Sequence, residues 1–280
     1  MEKQVIKNII VAKQQQISKT KLLPRANSFD NGSSYVLVGI RRAGKSYTLY
    51  QDIQAKLASG KVSMDDILYI NFEDERLAGI RAEELGQILD AYREMYAQPQ
   101  PYIYLDEIQN VAGWEKFARR LTEEKFRVMI TGSNAKMLSR EIASTLGGSY
   151  VQRTIHPFSF AEYLNYRDVQ LDRNWAFNPE MRSAVVRHFN EYFYNGGFAE
   201  SFDKTDKREW LTSLYQKILM GDIVERNSIR NPRIFRLLAR KLADSVMQPT
   251  TLKRLEHIIK SSGDSISLVS LKDYLDYMED

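Results

Sequence analysis

This sequence predicts an α/β domain, a parallel sheet with helices on both faces, followed by a smaller all-helical domain. Three observations carry the prediction. Short apolar runs alternate with helical periodicities from about residue 34 to residue 155. The first run, Tyr35-Val36-Leu37-Val38, passes straight into a glycine-bracketed loop and then a helix. Beyond Pro157 no convincing strand pattern remains.

Taken in order, residues 1–22 read as an amphipathic helix, with Val5, Ile6, Ile9 and Ile10 on one face. Asp30-Asn31-Gly32-Ser33 is a turn before the first strand. After the loop, Leu49, Ile53 and Leu57 recur at helical spacing. Ile67-Leu68-Tyr69-Ile70-Asn71-Phe72 is the next strand, and 82–96 the next helix. Pro101-Tyr102-Ile103-Tyr104-Leu105 is a strand, 113–125 a helix and Val128-Met129-Ile130 a strand; a helix over 135–145 and a strand near 150–155 complete the sheet domain. Ligands of such sheets sit at the carboxyl ends of the strands, where the polar residues of these runs fall. The boundary is expected near 157–165, giving domains 1–160 and 161–280. In the second, Asn195-Gly196-Gly197 and Asn231-Pro232 punctuate the helices. Thr250 to Lys260, a Ser261-Ser262-Gly263 turn and a helix from Leu268 read as a helix-turn-helix, with Leu271, Tyr274, Leu275 and Met278 as the apolar stripe of the last helix.

Composition narrows the function classes. Of 280 residues, 43% are apolar and 27% charged, as in soluble globular proteins. With no cysteine there are no disulfides and no thiolate metal site. The start, Met1-Glu2-Lys3-Gln4-Val5, lacks a signal-peptide core and no apolar run reaches spanning length, so a cytoplasmic protein with no membrane partner is expected. Residues 207–260 hold 12 Lys/Arg against 5 Asp/Glu, leaving 28 against 31 elsewhere. That asymmetry fits a polyanion or interdomain contact, and equally a solvated helical surface. His156, His188 and His257 lack metal-ligand spacing and read as structural.

Gly39-Ile40-Arg41-Arg42-Ala43-Gly44-Lys45-Ser46 spells the phosphate-binding P-loop. The two glycines permit backbone conformations in which successive N–H groups point inward at phosphate oxygens. The following helix adds its dipole and its free amides. Lys45 reaches the β- and γ-phosphates and the Ser46 hydroxyl ligates Mg²⁺; Tyr47 closes the nucleotide-binding stretch. Leu105-Asp106-Glu107 ends a strand with two carboxylates, Asp106 holding Mg²⁺ and Glu107 orienting or deprotonating the water that attacks the γ-phosphate. Ile130-Thr131-Gly132-Ser133-Asn134 offers Ser133 or Asn134 to sense that phosphate, or either as a helix N-cap. Asn71-Phe72-Glu73-Asp74 reads as a plain strand-end turn. Arg119, Arg120, Arg140, Arg153 and Arg226 are equal candidates for a finger arginine, and Arg41 and Arg42 are expected to face solvent or a neighbour. Without an Asn-Lys-x-Asp signature, the expected nucleotide is ATP.

With these motifs in order, the chain resembles a family of prokaryotic AAA-like ATPases in which a P-loop domain precedes a helical, winged-helix-like domain of unknown function. The resemblance rests on Val38 to Ser46, Tyr104-Leu105-Asp106-Glu107-Ile108-Gln109, Ile130-Thr131-Gly132-Ser133-Asn134-Ala135-Lys136, His156-Pro157-Phe158-Ser159-Phe160-Ala161-Glu162-Tyr163-Leu164, Gly196-Gly197-Phe198 and Asp222-Ile223-Val224-Glu225-Arg226. It implies an additional-strand P-loop NTPase core with the glutamate beside the Mg²⁺ aspartate as catalytic base. Relatives usually carry arginine where Ser149 follows Gly148, which puts turnover in question; they also run longer, so a truncated chain is expected.

The expected function is a Mg-dependent ATPase that couples hydrolysis to movement of the helical domain, with a homo-oligomer possible. The alternative is an ATP-gated DNA- or protein-binding switch with little turnover; a small-molecule kinase fits less well. The last helix offers Lys272 among Asp273, Asp276, Glu279 and Asp280, the wrong sign for a DNA groove. Arg233, Arg236 and Arg240, beside Ile234, Leu237 and Leu238, suit a nucleic acid better, or lie on a solvated face.

Overall fold

The computed structural model describes residues 2–30, 32–133 and 148–279. Five strands, β1 (Ser34–Val38), β2 (Ile67–Asn71), β3 (Tyr102–Asp106), β4 (Arg127–Gly132) and β5 (Tyr150–Thr154), form one sheet in the order β2-β3-β4-β1-β5. Every pairing is parallel. β4 therefore stands between β1, which leads into the glycine loop, and β3, which ends in Asp106. This is the additional-strand arrangement expected, and it brings the ends of three strands to one edge.

Alternation along the strands builds two cores. Val36, Val38, Leu68, Ile70, Ile103, Leu105, Val128 and Ile130 enter one cluster, beneath α1 (Lys3–Lys19), α3 (Gly86–Arg93) and α4 (Glu115–Glu123). Tyr35, Leu37, Ile67, Tyr69, Tyr104 and Met129 enter the other, where α2 (Lys45–Ala58) supplies Leu49, Tyr50 and Ile53. A strand covered on both sides has no polar face, which is why β1 is buried along its whole length. Ile6, Ile9, Ile10 and Ile17 of α1 are fully buried, and each such burial is worth about 1.5–3 kcal/mol. That outweighs the exposed pairs of Lys3 and Lys7 with Glu94, so α1 is held by its isoleucines.

The chain divides into two compact units, 1–199 and 200–280. Helices α5 (Phe160–Tyr166) and α6 (Pro179–Asn195), which the sequence reading placed in the helical domain, group with the sheet in this division. In the second unit α7 (Lys207–Gln216) runs into a wider π-type turn at Lys217–Glu225, and α8 (Pro232–Asp244), α9 (Leu252–Ser261) and α10 (Leu268–Glu279) follow. Ile234, Leu238, Leu255, Ile259 and Leu271 make one of its cores, with Tyr274, Leu275 and Met278 packed against it, and Leu219, Val224, Ile229 and Phe235 make another. Among the described residues of 200–279 there is no strand, and among all described residues no helix is long and apolar enough to cross a membrane. The helix expected over 135–145 and Asn134 before it lie outside the described residues.

Candidate nucleotide site

The loop after β1 is shaped by two close backbone conditions. Ile155, following β5, donates its N–H to the Val38 carbonyl at 2.7 Å. A Cβ on Gly39 would then stand 2.1 Å from the Ile155 carbonyl oxygen, and φ there is 151°, so only glycine fits. Gly44 begins α2 in the left-handed region with φ 99°. Among the described residues no side chain caps that helix start, so its first amides can serve an anion. Ile40 and Tyr47 are exposed, the Tyr47 ring resting 5.7 Å from that of Tyr50.

Lys45 is buried and folds back over the loop, its Nζ donating to the carbonyls of Gly39 at 2.9 Å and Ile40 at 3.4 Å. The same ammonium stands 3.5 Å from Glu107 Oε1. Asp106 is fully buried and accepts from Tyr69 Oη at 2.5 Å and from the Thr131 hydroxyl. Burial pushes its carboxyl above the ordinary value, while hydrogen bonds from Thr131, Tyr69 and Ser46 pull the other way and the Glu107 charge adds to the rise. Burial beside Asp106 holds the Tyr69 phenol far above its usual range, so it remains a donor. Asp106 and Ser46 are hard oxygen donors in contact, a pair that fits Mg²⁺ with phosphate and water completing its shell.

Glu107 sits in the left-handed region with φ 52° and ψ 44°, a conformation that costs a non-glycine residue about 1–3 kcal/mol. Two neighbours fix it there. Its N–H donates to Thr131 Oγ1 at 2.9 Å, and Gln109 Nε2 donates to its Oε2 at 2.6 Å and to Ser133 Oγ at 3.4 Å. Thr131 thus bridges both carboxylate residues from the neighbouring strand. Thr131 and Gln109 lay inside motifs already noted, yet nothing in the sequence singled them out.

Arg25 was also missed. It lies in the stretch before β1, without periodicity or motif, and its side chain is 9% exposed. Its Nε pairs with Glu162 Oε1 at 2.7 Å, Nη1 donates to the Ala43 carbonyl at 3.0 Å and Nη2 to the His156 carbonyl at 2.9 Å. The guanidinium also stacks 4.7 Å from the Phe158 ring. One signal for its partner existed: Ser159-x-x-Glu162 is the capping-box spacing, and Ser159 N donates to Glu162 Oε2 at 2.8 Å.

Elsewhere Arg41 pairs with Glu73 at 3.3 Å, and Asn71 closes a side-chain turn onto Glu73 N–H, as a strand-end turn should. Arg119 and Arg120 lie on the exposed side of α4 with Glu123 and Glu124. Arg153 is exposed on the edge strand β5, Arg226 falls in the second unit, and Arg140 lies outside the described residues. Ser149 precedes β5, at the amino edge of the sheet, whereas the loop is at the carboxyl edge. Five residues of strand, about 17 Å, separate them. An arginine at that place would not reach the loop of its own chain.

Residues 31–164 match an AAA domain. Just under half of the chain is thus similar to an AAA domain, and its parallel sheet has the P-loop NTPase fold. Residues 186–280 match a domain of unknown function. An uncharacterized protein of Methanocaldococcus jannaschii is 32% identical over 286 aligned positions, covering 100% of this chain and 61% of its own length. An uncharacterized protein of Haemophilus influenzae is 31% identical, covering 94% of this chain and 64% of its own. The chain thus spans less than two thirds of either relative. Among solved structures, AMPPCP-bound DnaA from Aquifex aeolicus overlaps 97% of this chain and 88% of its own at 13% identity, with a TM-score of 0.36, a loose likeness.

Proposed function

We propose that the AAA domain binds Mg·ATP in the loop 39–46 and hydrolyses its terminal phosphate, coupling turnover to movement of the helical residues that follow. The reading is carried by one convergence: an amide-lined loop, a buried lysine and two adjacent carboxylates meet at the carboxyl ends of β1, β3 and β4. Lys45 exchanges the Gly39 and Ile40 carbonyls and the Glu107 carboxylate for phosphate oxygens. Asp106 and Ser46 would hold Mg²⁺, which would neutralise charge on the phosphates. Freed from Lys45, Glu107 accepts the proton of the attacking water while Gln109 and the Thr131 hydroxyl keep it in place. Ser133, on the same Gln109 amide, or Asn134 beyond it, registers the γ-phosphate.

Glu107→Gln should leave ATP bound and cut turnover by about two orders of magnitude or more, read by titration calorimetry and phosphate release. Undiminished hydrolysis would take Glu107 out of the role of base.

A second reading, an ATP-gated switch on nucleic acid, draws on the exposed cations of the helical unit. Arg236 and Arg240 on α8 and Lys253, Arg254 and Lys260 on α9 are exposed, and none stands on the acidic α10. Filter binding to duplex DNA across a salt series, with and without ATP, tests it; a flat, salt-independent background in both states removes it.

A further inference from the structure

We propose that Arg25 is a positioning residue of the phosphate loop, holding the Ala43 carbonyl so that the Gly44 amide is aimed into the nucleotide cup. The inference rests on the reading that this loop binds a triphosphate. It begins from one peptide plane. In a trans peptide the C=O of one residue and the N–H of the next point in opposite directions. Ala43 O accepts from Arg25 Nη1 at 3.0 Å, so the Gly44 N–H is turned away from Arg25. Gly44 has no Cβ and takes either sign of φ readily, so without a hold on Ala43 this plane is free to flip. Arg25 packs directly behind it, its Nη1 3.4 Å from where a Gly44 Cβ would be.

The clamp is itself clamped. Gln51 of α2 accepts from Arg25 N at 3.0 Å and donates to Arg25 O at 2.7 Å, fixing the main chain. Glu162 takes Nε and Nη2, at 2.7 and 3.2 Å, and its other bonds belong to the Ser159 capping box. Burial pushes the Glu162 carboxyl up, but the Arg25 and Ser159 bonds and the Arg25 charge hold it below its ordinary value. Glu162 is charged at neutral pH and the guanidinium is neutralised locally. A pair serving stability alone would need only the carboxylate; here Nη1 and Nη2 also go to the carbonyls of Ala43 and His156. Those acceptors match a planar fork, which a lysine ammonium cannot reproduce. The same three atoms join the loop to the segment that opens α5, so displacement of the loop on phosphate contact reaches residues 156–162 through Arg25.

The test uses the full chain, ¹⁵N-labelled, as wild type, Arg25→Lys, Arg25→Ala and Glu162→Gln. Arg25→Lys should shift the Gly44 amide resonance in the nucleotide-free protein and weaken ATP and ADP binding by about tenfold or more. Glu162→Gln, which leaves Nη1 on Ala43, should weaken binding less than Arg25→Lys does. A melting temperature lowered alike in both Arg25 variants, with the Gly44 resonance and nucleotide affinity of the folded protein unchanged, would assign Arg25 to structure only and overturn the inference. Where Arg25→Ala fails to fold, Arg25→Lys decides. Failure of the wild type to bind nucleotide would instead sink the ATPase reading, an outcome separate from wild-type binding that Arg25→Lys leaves intact.

Discussion

Tyr69 and Thr131 do for Asp106 what water does for an exposed carboxylate. A carboxyl with no solvent contact needs donors for its charged form, and the two hydroxyls come from β2 and β4 on either side of β3. Tyr69→Phe keeps the ring, its 5.4 Å edge contact with Tyr50 and the core volume, and removes the hydroxyl that bonds both Asp106 and Tyr50. The expected loss is about 1–3 kcal/mol, the cost of leaving a buried acceptor short of a partner. Chemical denaturation of the two proteins measures it; equal midpoints would mean that Ser46 and Thr131 suffice. At Glu162 the sign of a pH effect can be worked out. Its folded value lies below the ordinary 4.5, so the stabilisation it brings is present above 4.5 and is lost as pH falls through the folded value. Glu162→Gln should therefore differ most from wild type at neutral pH, with the gap closing on acidification below 4.5. A gap of constant size would show that the charge on Glu162 contributes nothing to it.

At the scale of elements, close backbone approach decides more than propensity does. Gly197 lies against the segment that opens α5: Phe158 N–H donates to Gly197 O at 2.7 Å, and a Cβ on Gly197 would be 2.0 Å from Phe158 O. Tyr192 of α6 donates to the same Phe158 carbonyl at 2.8 Å. Gly197→Ala must push main chain against main chain, and it should cost at least the roughly 1–3 kcal/mol of an overpacked core. Gly221, with nothing within 4 Å of its own Cβ position and no positive φ, is the control: Gly221→Ala should be neutral or gain up to about 1 kcal/mol. Thermal melts of the pair check both, and equal losses would refute the close-approach account. The Gly196-Gly197-Phe198 stretch was visible in the sequence, but its reason was not, because the partner atom is the Phe158 carbonyl, far upstream in the chain. The same distinction runs through the molecule. Strands β1 to β4 were legible because two-sided burial writes continuous apolar runs, and the loop because its chemistry fixes glycines, lysine and serine at set offsets. The grouping of α5 and α6 with the sheet was not legible, since helical periodicity says that a face is buried and not against what. Arg25 left no mark either, for a single arginine in a loop looks the same whether it is solvated or bonded to three partners.

For the whole molecule, the unanswered quantity is positive charge on the transferring phosphate. Among the described residues the cations nearest the loop are engaged: Arg25 with Glu162, and Arg41 with Glu73. On the proposed reading Lys45 would meet the β- and γ-phosphates, and a single ammonium would leave the equatorial oxygens of the transition state short of side-chain donors. An arginine from a second copy is the economical source, since the carboxyl edge of the sheet presents the exposed Ile40 and Tyr47 beside the loop. Ser149 takes no part within its own chain, being at the opposite edge of β5. Turnover per chain should then rise with protein concentration, by about tenfold or more between dilute and associated protein, as removing a transition-state cation costs at least that much. Nucleotide affinity, which depends on Lys45 and the loop amides, should change little over the same range. A rate per chain that stays flat through the range where light scattering shows association would place the missing arginine inside the chain. Arg226 and Arg153, substituted singly by alanine, would then be the first to examine.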